Sequence, residues 1–208
     1  PFEVTPDTNL ETLNLFIDDS LGLGSKITDI VFGGLKNLRL SGGIENNSFE
    51  ISNPLDATLA NVSASSIPVD LKINLSESIL QKAISLGSGD DIITIGDALV
   101  ALPAADEIDG GSGSDKLIID FLGAVTVAPK LSSIEALELH FNGASTLDFS
   151  QTSDISSLEF LSGSADVTLR NLPFDISNLK ISESQAGAWS IAYEENAGAN
   201  VNVVWSNN

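Results

Sequence analysis

Two short segments of this chain combine glycine and aspartate in a pattern suited to binding a metal ion. Residues 87–93 read GSGDDII, and residues 106–117 read DEIDGGSGSDKL. Glycine lets the backbone adopt positive φ angles and turn its carbonyl oxygens toward one point, and an aspartate two residues after the last glycine adds a carboxylate. Calcium prefers about six to eight such oxygen ligands. Because one turn supplies about half of them, we expect an ion to lie between two stacked turns.

The spacing of these residues is that of a known repeat. The second segment matches the nonapeptide repeat of calcium-binding β-helices and β-rolls, and the first departs from it only at Leu86, where the repeat has glycine. Between the two turns, Asp106 precedes Asp115 by one repeat unit and reads as the aspartate of a degenerate repeat. The sequence therefore predicts that Asp91, Asp106 and Asp115 share one register.

The predicted Ca²⁺ ligands are the glycines of both turns and the aspartates in or beside them. They are Gly87, Gly89, Asp90, Asp91, Asp106, Asp109, Gly111, Gly113 and Asp115. Asp90 and Asp109 are included because they lie close to the turn glycines. Glycine followed by aspartate is also ordinary turn chemistry without a metal, and that alternative stays open at this point. The recurrence of the repeat favours calcium.

The composition favours a folded, acidic protein. Of the 208 residues, 29 are acidic and 9 are basic, which gives a formal charge of -20, yet 42% are hydrophobic. This apolar content is enough for a core and excludes a disordered chain. The negative charge repels nucleic acid and anionic lipid, and no apolar run approaches the ~20 residues that cross a bilayer. We therefore expect no nucleic-acid partner and no membrane insertion. Cysteine is absent, so stability must come from packing and metal.

Apolar residues alternate with a period of two along most of the chain, which predicts β-strands. Glycine, asparagine, serine, aspartate and proline fill the gaps between these runs. A series of short strands fits a β-sandwich or a β-solenoid, and stacked metal turns favour the solenoid. We predict an all-β fold, a right-handed parallel β-helix with irregular rungs. Residues 76–85 have helical spacing after a serine cap, or form a loop and a strand.

No linker divides the chain, so we predict a single β-helix over residues 1–208, excised from a larger secreted protein. Its N-terminal rungs are residues 1–85, its calcium-turn rungs are residues 86–120, and its C-terminal rungs and cap are residues 121–208. The apolar runs at 189–193 and 201–205 are expected to form a closing strand pair.

The segment from Leu86 to Val204 resembles the calcium-binding β-helix of bacterial surface-layer proteins of the type I secreted, repeats-in-toxin (RTX) kind. The glycine turns, the phrase SIEALEL at residues 133–139 and the rungs around residues 148–150 and 166–169 carry the likeness. The resemblance implies a secreted structural protein of the bacterial cell surface, in which calcium stabilises the solenoid and drives self-association into a lattice. It also implies that other parts of the parent protein bind cell-surface polysaccharide.

Other functions remain open from the sequence. An RTX-type adhesin segment or a carbohydrate-binding spacer module is the main alternative, with Trp189, Tyr193 and Trp205 as a sugar-stacking platform or as core packing. We expect no enzyme, because the basic residues are scattered and alternation places His140 on an outer strand face beside Glu138. Two carboxylates that hydrolyse a glycoside would leave no distinctive signal among 29 acidic residues.

Overall fold

The computed structural model describes residues 10–18, 22, 24–96, 106–161, 166–173, 176–182, 189–193 and 202–206. These residues form three β-sheets and no helix. Sheet A contains Thr12–Ile17 (β1), Asn37–Gly42 (β3), Asn61–Ser63 (β5), Ala83–Ser85 (β7), Glu107–Asp109 (β9) and Lys130–Ser132 (β12). Sheet B contains Ser25–Ile27 (β2), Ser48–Ile51 (β4), Asp70–Asn74 (β6), Ile92–Ile95 (β8), Lys116–Phe121 (β10), Ala136–Phe141 (β13), Ser157–Leu161 (β15), Asn178–Ser182 (β17) and Asn202–Ser206 (β19). Sheet C contains Thr126–Val127 (β11), Ser145–Asp148 (β14), Val167–Leu172 (β16) and Trp189–Tyr193 (β18).

The described strands pair in parallel with strands one coil away in sequence. Thr12 pairs with Asn37 in sheet A, and Lys72 pairs with Ile92 in sheet B. The chain therefore winds in coils of about 20 to 25 residues, and successive coils extend the same sheets. The fold is a right-handed parallel β-helix, as the sequence predicts. No helix among the described residues has the length and apolar character needed to cross a membrane.

The core consists of columns of apolar side chains that stack from coil to coil. In-register parallel strands place every second residue above its counterpart, so an alternating sequence produces such columns. One column in sheet B consists of Ile73, Ile93, Leu117, Leu137, Leu158 and Leu179, none more than 2% exposed. Each buried Leu or Ile contributes about 1.5–3 kcal/mol of hydrophobic stabilisation. Ile93 and Leu117, the apolar residues that follow the two turns, point into the core as predicted.

The third side of the solenoid changes along the chain. Residues 28–36, 52–60 and 75–82 close the N-terminal coils with irregular turns, whereas sheet C closes the later coils. Sheet A ends in the same region, and within the described residues it continues past β12 as an isolated bridge between Leu131 and Thr152. The cross-section of the solenoid therefore changes near β11.

Two segments correct or resolve the sequence expectations. Residues 76–85 form a turn followed by β7, so the loop-and-strand alternative is right and the helix is wrong. The last two strands exist, but they do not pair with each other: β18 pairs with β16, and β19 pairs with β17. Consecutive strands of a coil belong to different sheets, which a sequence pattern typical of a hairpin does not reveal. The side chains of Trp189, Tyr193 and Trp205 lie outside the described part of the structure.

Candidate metal centre

The two glycine turns lie at one corner of the solenoid, where sheet A passes into sheet B. Residues 86–91 connect β7 to β8, and residues 110–115 connect β9 to β10. Because β7 pairs with β9 and β8 pairs with β10, the second turn lies directly above the first. We name this stack of two turns the glycine corner. The structure thus brings together the two turns that the sequence singled out.

The glycines allow the two turns to approach each other closely. A Cβ atom on Gly111 would lie 2.1 Å from the carbonyl oxygen of Gly87, and one on Gly113 would lie 2.3 Å from that of Gly89. Gly111 and Gly113 also have φ angles of 94° and 141°, which side-chain-bearing residues rarely adopt. Gly87 and Gly89 approach carbonyl oxygens of the preceding coil in the same way. Backbone carbonyl oxygens therefore line the interface between the stacked turns.

Three acidic residues form a ladder up this corner. The backbone N–H of Leu71 donates to Oδ1 of Asp91 (2.7 Å), and the N–H of Asp91 donates to Oδ1 of Asp115 (2.8 Å). The N–H of Asp115 donates in turn to Oε2 of Glu135 (2.7 Å). Each carboxylate therefore accepts a hydrogen bond from the coil before it. The ladder holds like charges on successive coils.

Asp91 is buried with half of its carboxylate unsatisfied. The residue is 1% exposed, and its Oδ2 atom is buried without a hydrogen-bond partner. Burial raises the pKa of Asp91 to about 7; the charges of Asp115 and Asp70 also raise it, and the N–H groups of Leu71 and Gly87 lower it. A buried carboxylate in this state requires a proton or a cation.

Asp115 repeats this arrangement one coil later. It is 1% exposed, and its Oδ2 atom is buried without a hydrogen-bond partner. Burial raises the pKa of Asp115 to about 6 against the opposing hydrogen bond from Asp91, and the charges of Glu135, Asp90 and Asp109 raise it further. Two partnerless carboxylate oxygens therefore lie on adjacent coils of one corner.

The two remaining aspartates of the glycine corner lie at its rim. The N–H of Asp90 donates to Oδ1 of Asp70 (2.9 Å), and the N–H of Ser114 donates to Oδ1 of Asp90 (2.9 Å). Asp109 is the last residue of β9, and its Oδ1 accepts a hydrogen bond from the N–H of Gly111 (3.2 Å). Both aspartates are exposed. They add negative charge near the buried carboxylates and hold the turns in place.

Asp106 lies at a different corner from Asp91 and Asp115. It precedes β9 of sheet A, whereas the other two precede β8 and β10 of sheet B. The N–H of Lys82 donates to Oδ1 of Asp106 (2.8 Å), and the Lys82 ammonium donates to the carbonyl oxygen of Leu80 (2.9 Å). We name this site, residues 80–82 with Asp106, the lysine corner. Asp106 and Asp115 are one nonapeptide apart, and each directly precedes a strand. Those two strands belong to different sheets, so the aspartates lie at different corners of the coil.

Both charged residues of the lysine corner are buried. Lys82 is 2% exposed and Asp106 is 0% exposed, and Oδ2 of Asp106 has no hydrogen-bond partner. Burial lowers the pKa of Lys82, and the charge of Asp106 opposes this change. Burial raises the pKa of Asp106 to about 6, while the Lys82 N–H and ammonium lower it. A cationic side chain therefore lies near the aspartate at this corner.

The glycine corner supplies oxygen atoms of the two kinds that calcium prefers, carboxylate and backbone carbonyl. Among the described residues, no three His, Asp or Glu side chains are close enough together to hold a metal ion. The corner supplies Oδ2 of Asp91 and of Asp115 without hydrogen-bond partners, and the carbonyl oxygens of Gly87 and Gly89 between the coils. The Gly87 carbonyl oxygen also accepts a hydrogen bond from the N–H of Ser112 (2.8 Å). Calcium prefers this combination of carboxylate and carbonyl oxygens. Asp91 and Asp115 would be its carboxylate ligands.

Three residues that shape these corners were not predicted from the sequence. Asp70 and Glu135 extend the acidic rows by one coil on either side of the two turns, and Lys82 lies beside Asp106. Lys82 and Asp106 are as far apart in sequence as Asp91 and Asp115. The spacing between the two glycine turns could therefore have predicted that Lys82 lies beside Asp106. The coil that leads to Glu135 is shorter, so that spacing does not find it.

The single histidine lies where the strand pattern places it. His140 is on the outer face of sheet B, with its Nε2 atom 3.0 Å from Oε1 of Glu138 and its Nδ1 atom 2.5 Å from Oδ1 of Asp120. Glu138 also forms a salt bridge with Lys116. Both ring nitrogens of His140 therefore contact carboxylates.

No protein-family model, curated protein or solved structure matches this chain. A β-helix by itself is compatible with many functions. The residues of the glycine corner are therefore the strongest guide to what the chain does.

Proposed function

We propose that the chain is a calcium-stabilised structural segment of a secreted bacterial surface-layer protein. The observation that carries this proposal is the pair of buried, partnerless Oδ2 atoms of Asp91 and Asp115 on stacked glycine turns. A buried charge without a partner is costly, so a site of this kind favours a bound cation. Backbone and carboxylate oxygens together select calcium over softer metals.

The acidic ladder explains why folding at this corner would depend on the compartment. Without a cation, the charges of Asp91, Asp115 and Glu135 repel one another across successive coils. Calcium, when bound, supplies two positive charges that offset this repulsion. The solenoid would therefore be less stable in the low-calcium cytoplasm and more stable outside the cell, where calcium is abundant.

The charge of the whole chain links calcium to assembly. A formal charge of -20 keeps copies of the chain apart in solution. Divalent cations reduce this repulsion and favour lateral self-association into a lattice. In this proposal the protein is not an enzyme, and other parts of the parent attach it to surface polysaccharide.

The proposal is tested by thermal unfolding in millimolar calcium and in excess chelator. We expect calcium to raise the melting temperature of the unsubstituted chain, because a ligand that binds the folded state stabilises it by mass action. Asp91→Asn and Asp115→Asn should each abolish that rise. Asparagine keeps the Oδ1 acceptor of each aspartate, and circular dichroism in chelator verifies that each variant folds. The control Asp120→Asn removes a charge from the outer face of sheet B and should keep the full calcium effect.

Two outcomes count against separate parts of the proposal. If calcium raised the melting temperature equally in the unsubstituted chain, Asp91→Asn and Asp115→Asn, the glycine corner would not be the metal site. Electron microscopy then tests assembly: ordered sheets that form on addition of calcium support the lattice. Calcium-stabilised monomers that never form sheets would contradict the lattice and favour the adhesin alternative.

A further inference from the structure

The outer face of sheet A carries a groove that borders the glycine corner at Asp109. Its volume is about 540 Å³, and it crosses β7, β9, β12 and residues 151–153. It lies where sheet A ends and sheet C begins. Four successive coils therefore contribute to one continuous floor.

The floor of this groove is rigid. Ile84, Ile108 and Leu131 alternate with the groove residues and point into the core, where they are 2%, 1% and 3% exposed. Their strands pair in register, so the outward residues form rows along the axis of the solenoid. One row contains Ser85, Asp109 and Ser132. A fixed row of polar groups is preorganised for a ligand that extends along the axis.

Three polar side chains of the groove are available for hydrogen bonds, whereas Thr152 and Ser153 already donate to Phe149 and Asp154. Ser85, Ser132 and Gln151 are exposed, and their side chains make no hydrogen bond to any described residue. Glu107 and Lys130 form an exposed salt bridge of 2.8 Å, with side chains 65% and 47% exposed. Hydroxyl and amide groups both donate and accept hydrogen bonds. The groove therefore offers donors and acceptors side by side.

The outer face of sheet B differs in this respect. Its charged side chains contact one another across neighbouring strands, as the pairs Lys26–Glu50, Lys116–Glu138 and Lys180–Glu159 show. His140 likewise contacts carboxylates through both ring nitrogens. Much of that face is therefore satisfied within the chain. The combination of a groove with free hydroxyl and amide groups distinguishes sheet A.

We propose that this groove binds a segment of neutral polysaccharide. The hydroxyl groups of a sugar chain match alternating serine, amide and carboxylate partners. The charge of the groove argues against an acidic polymer, because Lys130 is paired with Glu107 and Asp109 adds a further negative charge. No aromatic residue is among those that line it, so recognition depends on hydrogen bonds. This inference does not depend on calcium binding at the glycine corner.

The test is affinity electrophoresis of the whole chain in gels that contain dextran, mannan or galactan, with hyaluronan as an acidic polymer. At least one neutral polysaccharide should retard the parent chain, and hyaluronan should not. Ser132→Tyr fills the middle of the groove from an exposed strand position and should weaken retention about tenfold or more. The matched control, Ser157→Tyr, places the same side chain on the outer face of sheet B and should retain the parent affinity.

A cationic peptide is the competing ligand, so oligolysine binding is measured in parallel by calorimetry. The inference is wrong if no neutral polysaccharide retards the chain, or if Ser132→Tyr and Ser157→Tyr are retained equally. It is also wrong if oligolysine occupies the groove, seen as binding lost in Ser132→Tyr, while the neutral polysaccharides do not bind. Circular dichroism of both variants verifies that each still forms the β-helix.

Discussion

The glycine corner and the lysine corner place a buried aspartate in the same local setting but in opposite electrostatic surroundings. Asp115 and Asp106 each accept an N–H from the coil before, and each leaves Oδ2 without a hydrogen-bond partner. Acidic side chains surround Asp115, whereas the ammonium of Lys82 lies near Asp106 and lowers its pKa. The difference teaches that charged residues on the neighbouring coils set the electrostatic surroundings of a repeated aspartate.

The backbone of the two corners differs as well. At the glycine corner the carbonyl oxygens of one turn face the glycines of the next at distances that no Cβ atom tolerates. At the lysine corner the side chains of Lys82 and Asp106 occupy the interior, and both are buried. A metal site made partly of carbonyl oxygens needs the first arrangement. We therefore leave Asp106 out of the calcium site that we propose, whereas the sequence-based prediction of ligands included it.

The largest expected effect comes from filling the space between the stacked turns. Gly113→Val places a Cβ atom 2.3 Å from the carbonyl oxygen of Gly89 in a backbone conformation that valine avoids. We expect a loss of about 3 kcal/mol or more in the free energy of unfolding, measured by urea denaturation in chelator. Ala83→Val, on an exposed position of β7 beside the lysine corner, should change it by less than about 0.5 kcal/mol. Equal effects of the two variants would show that close stacking is not special to the glycine corner.

The next expected effect is that stability depends on pH, with a larger contribution from the glycine corner than from the lysine corner. The native pKa values of about 7 for Asp91 and about 6 for Asp115 lie above the ordinary 3.8, so the native state binds protons that the unfolded state does not. In chelator, stability should therefore fall by a few kcal/mol as the pH rises from about 5 to about 8. Urea denaturation across this range measures the slope.

Substitutions at each corner show which corner causes the dependence of stability on pH. Asp91→Asn with Asp115→Asn should flatten the profile more than Asp106→Asn, because two shifted groups are removed instead of one. Saturating calcium should also flatten the profile of the parent chain, since a cation replaces the protons. A double variant with the parent's slope would mean that the glycine corner does not titrate in this range.

The smallest expected effects are two coupling energies, one at each corner, which should differ in sign. Double-mutant cycles in chelator should give an attractive coupling between Lys82 and Asp106 and a repulsive coupling between Asp91 and Asp115, each about 1 kcal/mol. The substitutions are Lys82→Met with Asp106→Asn, and Asp91→Asn with Asp115→Asn. Couplings of the same sign would remove the electrostatic distinction between the corners.

The sequence predicted the fold well because its strongest signals are local. Alternating apolar residues mark the strands that Ile93 and Leu117 anchor in the core, and the glycine turns require coil to stack on coil. It also paired the two turns correctly. These features depend on residues that are close in sequence or separated by one regular coil.

The remaining features depend on coil length, which varies. On the acidic ladder, Asp115 is separated from Glu135 by a shorter stretch of chain than from Asp91. The nine-residue repeat does not distinguish two corners of one coil, so it placed Asp106 with Asp115. Because loops absorb the differences in coil length, a fixed repeat length also missed Glu135. The groove on sheet A was missed for the same reason, since its residues come from four coils of unequal length.

The register between β10 and β13 would allow one whole coil of the solenoid to be duplicated. Lys116 pairs with Ala136, so the segment 116–135 begins and ends at the same angular position, one strand spacing apart. A tandem copy of this segment would start where the original ends and would stack on it in the same register. Such a duplication would lengthen the rod by about 4.8 Å. The length of this protein is thus a quantity that can be changed in whole coils.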